Sequence, residues 1–446
     1  VTRDTRRRVR VAVLVAGVAL AALLVGCLSP VIDSGSSENL GEVDGIAYDE
    51  SLSLTVEDGL NESELDALVA RSMARVEVIR GLTFEERVEV DVIAREEYRE
   101  QRNTNTSNAT RVWENLRYEA LFVVGQDRDA STVLDEGFAG NVQGYYSLRD
   151  DEIVIVSDAD QPTVDKNTLV HELVHALQDQ RFGIEYNAQT TDANRGYESV
   201  VEGPAELVER LYFQRCDTEW SCVRPGDTAG SSDLEPGIEL QILLPYVEGR
   251  AFVDTVRRQD GWGAVDELHE QPPESSAQVI HPEKYPDTEP ANVTVTDRST
   301  EAWSRLGASD IARRLGVGGD KRNADTLGEA AIYAMLVDNN VIDPEERLSH
   351  EHIFAAGWAG DQLVAYRNET ELGYVWETAW ETRDDADQFA SAYRQILQDN
   401  GALGTGDGVF VIPDGPFEGA FRLTQEGSTV RIVNAPTGDT LDEIHR

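Results

Sequence analysis

At 446 residues the chain can bury a large core and divide into two domains. Its formal charge is −44, its pI about 4.4, and Lys166, Lys284 and Lys321 are its only lysines, so arginine carries nearly all the positive charge. Acidity spread along the whole chain argues against nucleic acid as a partner and suits a surface bathed in high salt, where screening relieves self-repulsion.

Arg3, Arg6, Arg7, Arg8 and Arg10 precede an apolar run from Val11 to Val25, which ends at Gly26-Cys27. A charged head and a short apolar stretch closing on a small residue read as an export signal, and the run is short for a membrane span. Leu24-Val25-Gly26-Cys27 resembles a lipobox, with Cys27 as the lipidated first residue of the mature chain; Thr5-Arg6-Arg7 resembles a twin-arginine signal. The expectation is a signal peptide over 1–27, a flexible acidic tether over 28–59, and a location on the outer face of the cytoplasmic membrane, held by lipid.

From Glu62 to Arg80 apolar residues recur at helical spacing, and Val88, Val90 and Val92 alternate as a strand does. A second helix is expected over about 96–122. Val142–Tyr146 and Ile153–Val156 flank Arg149-Asp150-Asp151 as a hairpin. Gly144, Tyr145 and Tyr146 are candidates for an exposed sheet edge that takes a substrate peptide as an added strand; a strand buried inside the sheet fits the same pattern.

His171-Glu172-Leu173-Val174-His175 follows. Residues four apart share a helical face, so both imidazoles can reach one point at the zinc–nitrogen distance of about 2.0–2.1 Å. Glu172 projects elsewhere, where it can take a proton from a water on that metal. Leu169, Val170, Leu173, Val174, Ala176 and Leu177 make this a core helix, and Gly183 stands where a glycine would stop it. Two histidines buried there need a partner for their polar atoms, and a metal supplies one. Beyond it, Glu198, Glu202 and Glu206 share one face of a second helix. Such a run is ordinarily a solvated face; beside two histidines it also suits a metal. Cys216 and Cys222, close together in an exported chain, are expected to pair as a disulfide.

H-E-x-x-H followed by a glutamate on the next helix resembles the gluzincin zinc metallopeptidases. The resemblance implies His171, His175 and Glu202 as zinc ligands, Glu172 as general base, and Glu206, four residues beyond the ligand, as the carboxylate that orients the first histidine. Val201-Glu202-Gly203-Pro204-Ala205 is similar to the E-G-x-A of several gluzincin families. Pro204 departs from it, because a proline inside a helix removes a hydrogen bond and bends the axis. Leu244–Gly249, Pro272–Tyr285, Thr326–Glu329 and Gly357–Asp361 are similar to stretches of exported minimal gluzincins, and the whole chain resembles a haloarchaeal surface lipoprotein of that group.

The remainder, from about 290, carries no chemical motif. Helices are expected at 301–315, 326–338 and 384–398, and strands at 363–366, 373–380, 408–412, 419–423 and 428–433. The fold class is therefore α+β: a zincin-like core over 60–289, mixed sheet plus active-site and glutamate helices, and a C-terminal α+β domain over 290–446. The functional expectation is a zinc-dependent peptidase acting on a peptide or protein. His281, Tyr285 and Tyr246 are candidates for the donor that meets the developing oxyanion. His269, His350, His352 and His445 read as ordinary residues, with His350-Glu351-His352 a weak second metal pattern. The rival is a surface lipoprotein that keeps the zinc site or the fold for partner binding. A solute-binding lipoprotein would need two similar α/β lobes, and that alternation is missing.

Overall fold

The computed structural model describes residues 40–54, 60–102, 108–139, 142–157, 166–185, 188–216, 218–222, 234–306, 324–343 and 350–446. The architecture is α+β, and Cys27 lies outside the described residues.

The first described elements form a small hairpin, β1 (Glu42–Val43) and β2 (Ile46–Ala47), which lies on α1 (Glu62–Arg80). The tether expectation therefore fails over 40–54. The Gly41 amide donates to Glu77 (2.9 Å), Arg75 Nε donates to the Tyr48 carbonyl (2.7 Å), and Val43 packs into the core. α1 starts on a capping box made by Asn61 and Glu64 and buries Leu68, Met73, Val76 and Ile79. It also buries Arg71, Arg75 and Arg80. Arg75 stacks 4.7 Å from the Trp220 ring and reaches the Tyr212 hydroxyl (3.1 Å), so planar, weakly hydrated guanidinium is used here as core material.

Three strands follow: β3 (Glu89–Ile93), β4 (Gly144–Ser147) and β5 (Glu152–Val156). They lie in the order β3-β5-β4, with β3 parallel and β4 antiparallel to β5, which leaves β4 at the edge. The helix expected over 96–122 is described as α2 (Arg95–Arg102) and α3 (Asn108–Ala120), followed by α4 (Ala130–Ala139).

Three long helices then carry the site: α5 (Lys166–Phe182), α6 (Thr191–Cys216) and α7 (Pro236–Asp260). α5 ends at Gly183, whose φ of +75° suits glycine. The crossing of α6 and α7 also depends on glycine. A Cβ on Gly203 would lie 2.5 Å from the Gly249 carbonyl oxygen, and one on Gly249 would lie 3.0 Å from Cα of Ser199. Cys216 and Cys222 form a disulfide at the end of α6.

Beyond α8 (Trp262–Glu267) and α9 (Ser276–Ile280), the chain builds a second sheet from β6 (Ser304–Arg305), β7 (Ala324–Asp325), β8 (Trp358–Arg367), β9 (Leu372–Trp380), β10 (Leu403–Gly406), β11 (Val409–Ile412), β12 (Gly419–Glu426) and β13 (Thr429–Ala435). The order is β10-β11-β12-β13-β9-β8-β6, antiparallel throughout, with β7 also on β8. α10 (Gly328–Asp338) and α11 (Arg383–Asp399) match the expected helices, and α12 (Leu441–Ile444) closes the chain. Of the helix expected over 301–315, the described residues 301–306 are not helical, because Ser304-Arg305 pairs with β8, and the rest lies outside the described residues. At Ser304-Arg305, backbone bonds to an available sheet edge outweigh the helical pattern.

Buried carboxylates join the two halves. Asp325 accepts the Thr191 amide (2.7 Å) and hydroxyl (2.6 Å) at the start of α6, and Asp192 accepts the amide (2.9 Å) and hydroxyl (2.5 Å) of Ser276. Asp361 accepts four donors: the amides of Leu327 (3.0 Å) and Gly328 (2.9 Å) at the start of α10 and the indoles of Trp358 (3.0 Å) and Trp376 (3.2 Å). Burial pushes its carboxyl up to about 6 against the pull of those donors. Asp361→Ala leaves four buried donors unpaired, each worth about 1–3 kcal/mol, so a loss of about 4 kcal/mol or more in urea unfolding is expected. A loss below about 1 kcal/mol would contradict this account.

Candidate metal centre

α5 places His171, Glu172 and His175 one turn apart on its buried surface, and α6 crosses it with Glu202 facing them. Oε2 of Glu202 lies 3.0 Å from Nε2 of His171 and 3.3 Å from Nε2 of His175. Two imidazole nitrogens and a carboxylate oxygen thus converge, all within 4.8 Å of one another. Ligands at about 2.0–2.2 Å from a tetrahedral zinc sit roughly 3.4 Å apart, so this donor set fits zinc in chemistry and in spacing.

Nδ1 of His171 faces away from that point. Glu206 Oε1 and Glu209 Oε2 both lie 3.7 Å from it. Glu206 was expected there; Glu209, one further turn along α6, was not. Nδ1 of His175 meets Oε1 of Gln178 at 3.1 Å. Gln178 was missed as well, although a glutamine three residues after a histidine on an otherwise apolar helix is a readable signal.

Glu172 lies beside the edge strand. The Tyr146 amide donates to its Oε2 (2.9 Å), and the Tyr146 hydroxyl donates to Asp179 further along α5 (3.1 Å). β4 therefore runs along α5, which requires closeness: a Cβ on Gly144 would lie 2.9 Å from Cγ2 of Thr168. Gly144, Tyr145 and Tyr146 line a cavity of about 930 Å3 with His171, Glu172, His175, Glu202 and Tyr246. The alternative, a strand buried within the sheet, is overturned by the position of β4 at the edge.

Tyr246, on α7, stacks on His171 with ring centres 5.9 Å apart and planes 20° apart. His281 and Tyr285, expected as catalytic, do not line the cavity. His281 lies at the end of α9 with Nε2 2.9 Å from the buried Glu329, and the Tyr285 hydroxyl donates to the Gln271 carbonyl (2.5 Å). His281 is thus held between α9 and α10, and Tyr285, whose ring meets Phe252 of α7 edge-on, is held by the backbone that follows α8. His350 lies between Glu248 and the Leu240 carbonyl, at 3.2 Å from each, and both groups able to hold a metal among the described residues contain His171, so the His350-Glu351-His352 pattern lapses.

A domain of unknown function, DUF8575, matches residues 313–445. That match covers most of the second sheet and none of the residues lining the cavity. No curated protein and no solved structure matches the chain.

The centre is also an electrostatic unit. Burial disfavours charge on both imidazoles, yet the carboxylates of Glu202 and Glu209 raise His171 well above its ordinary value, and Glu202 raises His175. Burial raises Glu202, but His175 and His171 overcome it and hold the carboxyl well below the usual range. Burial pushes Glu206 up, with His171 opposing. In chelated protein, the raised histidines add stability that is full below their ordinary pKa of 6.5 and is lost as pH rises through the folded values. The lowered Glu202 adds stability that is full above 4.5 and is lost as pH falls through its folded value. The centre therefore contributes most between about pH 4.5 and 6.5. The urea midpoint should fall from pH 6.5 to 9, and Glu202→Gln should flatten that fall. An identical decline in the variant would exclude the cluster as its source.

Proposed function

We propose that the chain is a zinc-dependent peptidase with a zincin-like core, exported and held at the outer face of the cytoplasmic membrane by lipid on Cys27, acting on peptides or proteins. The observation that carries this reading is the convergence of His171, His175 and Glu202, within hydrogen-bond range, on one wall of a cavity that also exposes Glu172. The export and lipid part rests on the residues ahead of Ser29 alone.

His171 and His175 through Nε2, and Glu202 through Oε2, would hold the zinc. When bound, it supplies a Lewis acid and brings the pKa of an attacking water to about 7. Glu172 takes the proton from that water. The Tyr146 amide holds Oε2 of Glu172, so the carboxylate is oriented before the proton arrives. Glu172 then returns the proton to the departing amine. Burial, together with the carboxylates of Glu202, Glu172 and Glu198, keeps the Tyr246 phenol far above its ordinary titration range. It therefore stays protonated and can donate to the oxygen that gains charge. β4 offers an edge beside Glu172 for an extended substrate.

The second reading is a surface protein that uses the same zinc site for stability or partner binding. The buried, mutually bonded ligand set would serve that role equally well, so the base decides between the two. Glu172→Gln should retain about one zinc per chain and its melting temperature while losing about 10²–10⁴-fold of turnover on a quenched peptide library in multimolar salt. Tyr246→Phe should retain zinc and lose less. His171→Ala should empty the site. Equal turnover in wild type and Glu172→Gln would end the peptidase reading; zinc in both with turnover in neither would favour the binding protein.

A further inference from the structure

Pro204 stands inside α6, two residues after Glu202. In a regular helix the Val200 carbonyl accepts the N–H of residue 204, and proline has none. That carbonyl is nevertheless satisfied, by a side chain from the other helix. Nε2 of Gln178 donates to the carbonyls of Val200 (3.2 Å) and Val201 (3.1 Å), and Gln178 is buried at 1 % exposure. Carbonyls only accept, so both protons of the amide are committed and the amide cannot be turned over. Its oxygen must then face His175 Nδ1, and it does so at 3.1 Å. An amide oxygen also only accepts, which places the His175 proton on Nδ1. In the neutral form that binds a metal, Nε2 then keeps the lone pair, on the side where Glu202 Oε2 lies 3.3 Å away.

We infer that Gln178 and Pro204 form one positioning device: the proline frees a carbonyl on α6, and Gln178, oriented by that carbonyl, commits His175 to present Nε2 to the metal. The role at the metal rests on the zinc reading above; the bond between the two helices does not. Gln178 touches no substrate and acts through His175. Because Val200 and Val201 immediately precede Glu202, the same amide ties the histidine helix to the backbone that carries the third ligand. The departure of Pro204 from a plain helix is thus what makes the link possible.

Two measurements test the device: zinc dissociation by competition with a chelator, and the urea midpoint of the chelated chain. Gln178→Leu should weaken zinc by about 10–100-fold, the usual effect of removing a partner behind a ligand. Gln178→Glu keeps an acceptor for His175 but has no donor for Val200, so it should lower the midpoint as far as Gln178→Leu while recovering most of the zinc affinity. Pro204→Ala restores an N–H to the Val200 carbonyl, so Gln178→Leu should cost at most about half its usual midpoint shift in that background. Unchanged zinc affinity in Gln178→Leu, with the midpoint lowered, would reduce Gln178 to ordinary packing and overturn the role at the metal. Additive midpoint shifts for Gln178→Leu and Pro204→Ala would overturn the link through Val200. A wild type that binds no zinc would remove the metal reading itself, and the midpoint cycle would still decide whether the helices are joined as inferred.

Discussion

The carboxylate of Glu202, largely buried and wedged against two imidazoles, is the constraint on which the surrounding structure depends. A lone charge there would cost several kcal/mol, so the fold must deliver both histidines to it with little tolerance. α5 delivers them by its own period. α6 delivers the carboxylate only if its axis is held at one height and one rotation against α5, and the packing of Leu169, Val170, Leu173, Val174 and Ala205 in one cluster, with Gln178 on two α6 carbonyls, does this. The outer side of His171 is then bounded by Glu206 and Glu209, and its face is covered by Tyr246. That cover requires α7 to come close, which the glycines at the α6–α7 crossing permit.

None of the described residues of the C-terminal part lines the cavity, yet that part braces the helix that carries Glu202. Asp325 ends β7 and binds the first residue of α6; Asp192, next along, is tied to Ser276 on α9, whose hydroxyl also accepts the Ala330 amide of α10 (3.1 Å). Asp361 holds the turn into α10. These acids lie in the interior and each accepts at least two bonds from named donors, unlike the acid on the outside. Charge in this chain therefore has two regimes: repulsive and salt-screened at the surface, directional and local inside.

Much of this was readable from the residues. The H-E-x-x-H helix, its glycine stop, α1, the β4–β5 hairpin and the strands after 358 announce themselves by period and punctuation, because those signals are local. The failures share a physical cause. Tyr246, His281 and Tyr285 each offer one side-chain donor in the sequence, and only the path of α7 and α9 separates the one that reaches His171 from the two that do not. Gln178 signals at most its own histidine; its bond to the Val200 carbonyl depends on a proline 26 residues away, itself legible only as a defect. Residues 40–54 look polar enough to wander, but Arg75, buried and needing acceptors, takes the Tyr48 carbonyl and holds them down. Where a residue's partner lies across the fold, composition at its own position is silent.

The hairpin on α1 has a mechanical consequence. Tension applied along the backbone at residue 40 falls first on the Gly41–Glu77 bond and the short β1–β2 pairing. These bonds form the outermost link of a series, and the Arg75 clamp on Tyr48 is the next. The histidine helix lies behind both, joined to α1 by packing rather than by the pulled backbone. Force taken up at that end is therefore spent on a detachable clasp before any of it reaches the two imidazoles.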